Sequence, residues 1–172
     1  MELYERYIDD VVKKFENPDK NSKEELLMHS ALGLSSEIGE LINGEMNKDK
    51  ENILEELGDL YYFLFQGVGA IDFDLTHTQL NYTPKDTAEM GINKLIVEVS
   101  HLVDVVKAFN FYERELPEDE FFEIQYARIY FNLRHLVNEN DFNEFEVMRN
   151  NAQKLERRYG EKYSNERANN RE

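Results

Sequence analysis

Apolar residues return at helical spacing along most of the chain. In residues 2–16 they are Leu3, Tyr7, Ile8, Val11, Val12 and Phe15, one face of a helix with a 3.6-residue period. Asn17-Pro18-Asp19 breaks that helix, and Asn21 or Ser22 is placed to cap a second, predicted over about 23–46, with Glu24 and Glu25 in its first turn. Asn47-Lys48-Asp49 leaves room only for a short connection before a third helix from about 50 into 65–70. A connection that short makes the two neighbours antiparallel. Residues 72–87 are polar, contain Pro84, and read as a linker or ordered loop. The helical period resumes over about 88–112 and restarts after Leu116-Pro117-Glu118-Asp119, running to about 137. It returns once more over 141–159, ahead of a polar tail. The expected fold is all-α: a single domain over 1–172 built as an antiparallel helical bundle.

The two halves of this pattern look alike. Residues 29–63 and 91–131 each give a long helix, a charged break and an aromatic-rich helix, so 1–71 and 88–172 read as a pseudo-duplicated pair of helical hairpins joined by 72–87. Glu98-Val-Ser-His101 falls where the first half has Glu37-Ile-Gly-Glu40, with Glu123 near the place of Glu56 and Tyr126 near that of Asp59. The second half is then a degenerate copy. Any two helical hairpins share some of this pattern, which leaves a plain bundle as the alternative.

Two acidic pairs interrupt the apolar stretches of the first half. Glu37 and Glu40 lie among Leu32, Leu34, Ile38, Leu41 and Ile42; Glu56 and Asp59 lie among Ile53, Leu54, Leu57, Leu60, Tyr61 and Phe63. Each pair is spaced i,i+3 and so projects from one helix face. The short connection brings the pairs to similar heights on facing helices. Carboxylates on a buried face are costly unless something pairs with them, and a hard cation such as Mg²⁺ takes oxygen ligands of this kind. A solvated acidic face is the competing explanation for one pair, and less so for two. Gly33, Gly39 and Gly58 point the same way, because a helical glycine costs about 1 kcal/mol and is tolerated where a neighbour or ligand approaches closely. Ser35 and Ser36 keep that face small.

Charge narrows the partners. The 172 residues carry a formal net charge of -16, which argues against a broad grip on a nucleic-acid polymer. The chain has no cysteine, so disulfides and thiolate metal sites are excluded. No apolar run approaches a membrane span and the first residues lack a signal-peptide pattern, so a cytoplasmic protein is expected. Phosphate loops of the GxxxxGK[ST] and GxGxxG types are absent. Glu98-x-x-His101 is one copy of a motif that di-iron bundles use twice, and His29, His77 and His135 have no second ligand at metal spacing. Aromatic residues Tyr61, Tyr62, Phe63 and Phe65 are expected mostly in the core, with one face able to stack a base.

Late in this acidic chain, in the segment from Asn151 to Tyr159, a basic cluster of Lys154, Arg157 and Arg158 gathers, followed by Arg167 and Arg171. It offsets a helix C-terminus or holds phosphates opposite a carboxylate-bound metal, the arrangement that phosphoryl chemistry needs.

These residues resemble the all-α nucleoside triphosphate pyrophosphohydrolases of the MazG type. Glu37/Glu40 and Glu56/Asp59 match that family's ExxE and ExxD pairs, within His29-Ser-Ala-Leu-Gly-Leu-Ser-Ser-Glu-Ile-Gly-Glu-Leu and Glu55-Glu-Leu-Gly-Asp-Leu-Tyr-Tyr-Phe-Leu. Lys154-Leu155-x-x-Arg158-Tyr159, with Ala168-x-Asn170-Arg171, is similar to its closing segment. The likeness covers roughly 25–66 and 147–172. Ser36 stands where many members carry a further Glu, and the stretch between acids and basic segment is longer than in the shortest members. The resemblance implies that Glu37, Glu40, Glu56 and Asp59 hold Mg²⁺, with Mn²⁺ as a substitute, and act in catalysis. It implies substrate contacts from Asn151, Lys154, Arg158 and Tyr159, hydrolysis of a nucleoside or deoxynucleoside triphosphate to monophosphate and pyrophosphate in nucleotide-pool control, and a homodimer or homotetramer. The rival readings are a catalytically inactive helical interaction protein and a di-metal oxidase or storage bundle.

Overall fold

The computed structural model describes residues 3–75 and 91–169, and all regular structure among them is helical. Helix α1 starts as an α-helix at Leu3–Tyr7, widens to a π-helical turn at Ile8–Val12 and returns to α at Lys13–Phe15. Helices α2 (Lys23–Asn47), α3 (Lys50–Ala70), α4 (Ile92–Tyr112), α5 (Asp119–Glu139), α6 (Glu144–Tyr159) and the short α7 (Asn165–Asn169) follow.

Local chemistry sets these boundaries. Ser22 caps α2 in a reciprocal box with Glu25, the Ser22 hydroxyl accepting from the Glu25 N–H and the Glu25 carboxylate accepting from the Ser22 N–H. Lys48 ends α2 in the left-handed region at φ 55°, and the Asp49 N–H then bonds back to the Gly44 carbonyl at 3.0 Å. Asp49 in turn caps α3 by accepting from the Asn52 N–H at 3.1 Å. One tight connection thus closes one helix and opens the next. The last long helix starts at Glu144 rather than at 141, because the Asn143 side chain caps it by accepting from the Glu146 N–H. Of the expected linker over 72–87 only 72–75 is described, and the stretch 88–90 expected to open α4 also lies outside the described residues.

Helix α3 is the axis of the bundle. It packs on α2, α5, α6 and the π-helical turn of α1, while α2 also lies along α4 and α4 along α5. Its stripe of Leu57, Leu60, Tyr61, Leu64 and Phe65 is fully buried, and one apolar cluster joins it to residues of α1, α2, α4, α5 and α6. The short α2–α3 connection makes these two helices antiparallel, which sets their polar residues face to face. No helix among the described residues is long and apolar enough to cross a membrane.

Candidate functional site

Glu37 of α2 and Glu56 and Asp59 of α3 converge: one carboxylate oxygen from each lies within 4.8 Å of the other two. Glu56 is 4% exposed. Its Oε1 accepts from Asn52 Nδ2 at 3.0 Å, and it shares a hydrogen bond with Glu37. Burial, that shared bond and the charges of Asp59, Glu37 and Glu40 push the Glu56 carboxyl up to about 8. Burial and the Asp59 charge likewise raise Glu37. Burial also raises Asp59, against the pull of Lys154. All three carboxyls thus hold protons more tightly than usual, chiefly because burial disfavours their charged forms.

Glu40 lines the same cavity but is exposed and stands outside the three-carboxylate group. Ser36, on the same turn, donates to the Gly33 carbonyl at 2.9 Å and approaches Glu37 Oε1 at 3.2 Å.

Helix α6 supplies the cationic side. Lys154 bonds to Asp59 Oδ2 and reaches Glu55 Oε1 at 2.6 Å. Burial works against the Lys154 charge, yet Asp59 and Glu55 outweigh it and its pKa is raised. Asn151 is buried, its Nδ2 donating to Asp59 Oδ1 at 2.6 Å while its Oδ1 accepts from the Tyr7 hydroxyl at 2.6 Å. Both ends of its amide are therefore used in holding Asp59. Arg158 and Tyr159 line the cavity. Arg157 is exposed, Arg167 caps the C-terminal end of α6 by bonding to the Tyr159 carbonyl, and Arg171 lies outside the described residues.

These groups form one end of a cavity of about 480 Å³, within the usual range for small-molecule sites. The other end is apolar and aromatic, with Met28, Leu32, Tyr62, Phe63, Tyr159 and Tyr163 in its wall. Phe63 meets His29 edge-on, with ring centroids 5.2 Å apart. Gly33 makes room for the Phe63 ring, since a Cβ there would stand 2.3 Å from Phe63 Cδ1. Gly58 lets α6 come close, with Asn151 Cβ 2.9 Å from where its own Cβ would be. Gly39 has no such neighbour within 4 Å, so packing does not account for it. Tyr61 and Phe65 are core, as expected, whereas Tyr62 and Phe63 face the cavity.

In the second hairpin, Glu98 is 2% exposed and meets cations: Lys94 Nζ at 3.2 Å and Arg128 Nη1 at 3.7 Å, with His101 Nδ1 at 3.8 Å. Gln125 bonds to both His101 and Arg128. The side chains of α5 beside Glu98 are thus Gln125 and Arg128, two positions on from the expected Glu123 and Tyr126. Tyr126 is fully buried and donates to Ser30 Oγ at 3.0 Å. His135 approaches Glu139 at 3.4 Å, and His77 lies outside the described residues.

Glu55 and Gln66 belong to the site and were not singled out from the sequence. Glu55 had a signal, adjacency to Glu56 on the face turned toward α6. Gln66 had one too, as the only polar side chain between Phe63 and Ile71. No protein-family model, curated protein or solved structure matches this chain.

Proposed function

We propose that the protein is a nucleoside triphosphate pyrophosphohydrolase of the MazG-like kind, acting on nucleoside or deoxynucleoside triphosphates with Mg²⁺ or Mn²⁺. One observation carries this reading: three carboxylates of raised proton affinity, within 4.8 Å of one another, stand in the wall of a cavity of about 480 Å³ beside Lys154 and Arg158. All-oxygen donors suit a hard divalent cation, and a cation there would offset the burial and mutual repulsion that raise Glu37 and Glu56.

Glu37, Glu56 and Asp59 would hold the cation, with Glu40 at the rim of the same cavity. A bound Mg²⁺ would neutralise charge on the phosphoryl oxygens and activate water. Asn151 fixes Asp59 in place, so that this carboxylate keeps one orientation. Lys154 and Arg158 face the phosphate chain and balance its charge. A water oxygen bonds to the α-phosphorus, the bond to the oxygen bridging toward the β-phosphorus breaks, and a carboxylate of the cluster takes the water proton. The products are a nucleoside monophosphate and pyrophosphate.

The test is a screen of NTPs and dNTPs, dUTP included, in Mg²⁺ and in Mn²⁺, with products separated by chromatography. Pyrophosphate and monophosphate from a narrow set of substrates are expected. Absence of turnover with every nucleotide in both metals refutes the proposal.

A further inference from the structure

The aromatic end of the cavity contains a polar group with an unmet bond. Gln66 is 1% exposed, lines the cavity, and its Oε1 has no hydrogen-bond partner. Its amide lies beside the Glu16 carboxyl and lowers that group's pKa against the effect of burial. A carboxylate only accepts, so this contact assigns Nε2 to Glu16 and leaves Oε1 as the acceptor still free. The His29 imidazole lies beside the same amide, which raises its pKa against a larger lowering by burial, and no donor meets Oε1 in hydrogen-bonding geometry. A buried acceptor without a donor costs about 1–3 kcal/mol. Such groups in a folded protein call for an explanation, and a ligand supplies one.

Position makes the ligand's chemistry specific. Asp59, Phe63 and Gln66 fall on one face of α3, at spacings of four and three. Seven residues of helix separate Gln66 from the acid cluster by about 10 Å, which leaves room for a sugar and a base beyond a phosphate at Asp59. Phe63 stands between them as an aromatic wall.

We infer that Gln66 is a specificity-determining residue that reads a nucleobase, its Oε1 accepting an N–H of the base edge while Glu16 holds its Nε2. This rests on the cavity being a nucleotide site, as proposed above, and adds which atom recognises the base and with what polarity. A base edge that offers an acceptor to this point would leave two oxygens facing each other, and the resulting discrimination is the kind that buried, unpaired polar groups enforce.

The experiment uses the unmodified protein first. The preferred nucleotide is compared with its analogue in which the edge N–H is replaced by N–methyl: N3-methyl for uracil or thymine, N1-methyl for guanine, dimethylamino for adenine or cytosine. Turnover is measured by pyrophosphate release, and binding of the corresponding monophosphates by calorimetry. The native protein is expected to disfavour the methylated ligand at least tenfold, and Gln66→Met, checked by its melting curve, to treat parent and analogue within about twofold. Equal handling of the two ligands by the native protein overturns the inference. So does a Gln66→Met variant that still rejects the methyl group, since the rejection would then come from the cavity wall. Base-selective binding without pyrophosphate release would sink the hydrolysis reading and leave the Gln66 assignment standing, whereas failure to bind any nucleotide overturns both.

Discussion

Replacing Glu56 by Gln should make the metal-free protein more stable, and only at high pH. Gln copies the protonated carboxyl: its oxygen still accepts from Asn52, and its amide donates to Glu37 where the proton did. A carboxyl moved from 4.5 to about 8 corresponds to about 5 kcal/mol between its two protonation states. The three carboxyls titrate as a group, so one protonation relieves all of them and the full figure is an upper bound for the substitution. Even about 2 kcal/mol moves the melting temperature of a domain this size by roughly 4–8 °C. The folded carboxyl keeps its proton to higher pH than the unfolded one. The penalty is therefore absent below about pH 4.5, grows through the window, and is complete above about pH 8. Melting curves in EDTA at pH 5 and pH 8.5 should coincide for the two proteins at the lower pH and separate at the higher, Glu56→Gln melting later. Added Mg²⁺ should reverse the order at pH 8.5, because only the native cluster gains binding energy. Parallel pH profiles for the two proteins in EDTA would refute the argument that burial and the neighbouring carboxylates raise Glu56.

Lys154→Met removes the cation between Asp59 and Glu55 and should cost about 3 kcal/mol in chelator, with part of the loss restored by Mg²⁺ in denaturant titrations. Asn151→Leu leaves the buried Tyr7 hydroxyl and Asp59 Oδ1 without their partner. It should lower stability by about 2 kcal/mol or more, and Mg²⁺ affinity by calorimetry should fall as Asp59 loses its orientation. Gly33→Ala places a Cβ 2.3 Å from the Phe63 ring, which must move; a loss of about 1–3 kcal/mol on thermal melting is expected, with weaker nucleotide binding because that ring walls the cavity.

The α2–α3 hairpin was readable in the sequence because its signals are local. Ser22, Glu25, Asn47 and Asp49 act on backbone groups within a few residues, and the boundaries they set agree with the pattern to within a residue or so. Convergence of Glu37 with Glu56 and Asp59 followed from antiparallel geometry. Glu40 stays outside the group: the buried stripe of α2 runs through Leu34, Ile38 and Leu41, and Glu40 is exposed at the edge of the cavity where Glu37 is half-buried. The register of the second hairpin depended on a break whose length in space the sequence does not state. The buried stripe of α5, Phe122, Gln125, Tyr126 and Ile129, brings Gln125 and Arg128 to Glu98 instead of Glu123. The pairing of Lys154 with Glu55 and the reach of Tyr7 to Asn151 join helices far apart in the chain, and no local pattern announces them. The π-helical turn at Ile8–Val12 has no residue signature either, since the apolar spacing across it still reads as an ordinary helix.

The hydrogen bond from Tyr7 to Asn151 spans 144 residues, and that from Asn151 to Asp59 spans 92. Asp59 therefore gains its partners only once α6 has packed on α3, with α1 holding Asn151 in turn. During synthesis the α2–α3 hairpin emerges with its acids already side by side and no Lys154 to oppose them. Contacts so distant in sequence form late and slowly, which leaves an interval in which the nascent hairpin carries uncompensated negative charge. On the proposed metal-binding reading, a divalent cation captured in that interval would join the two helices before α6 arrives and so assist assembly as well.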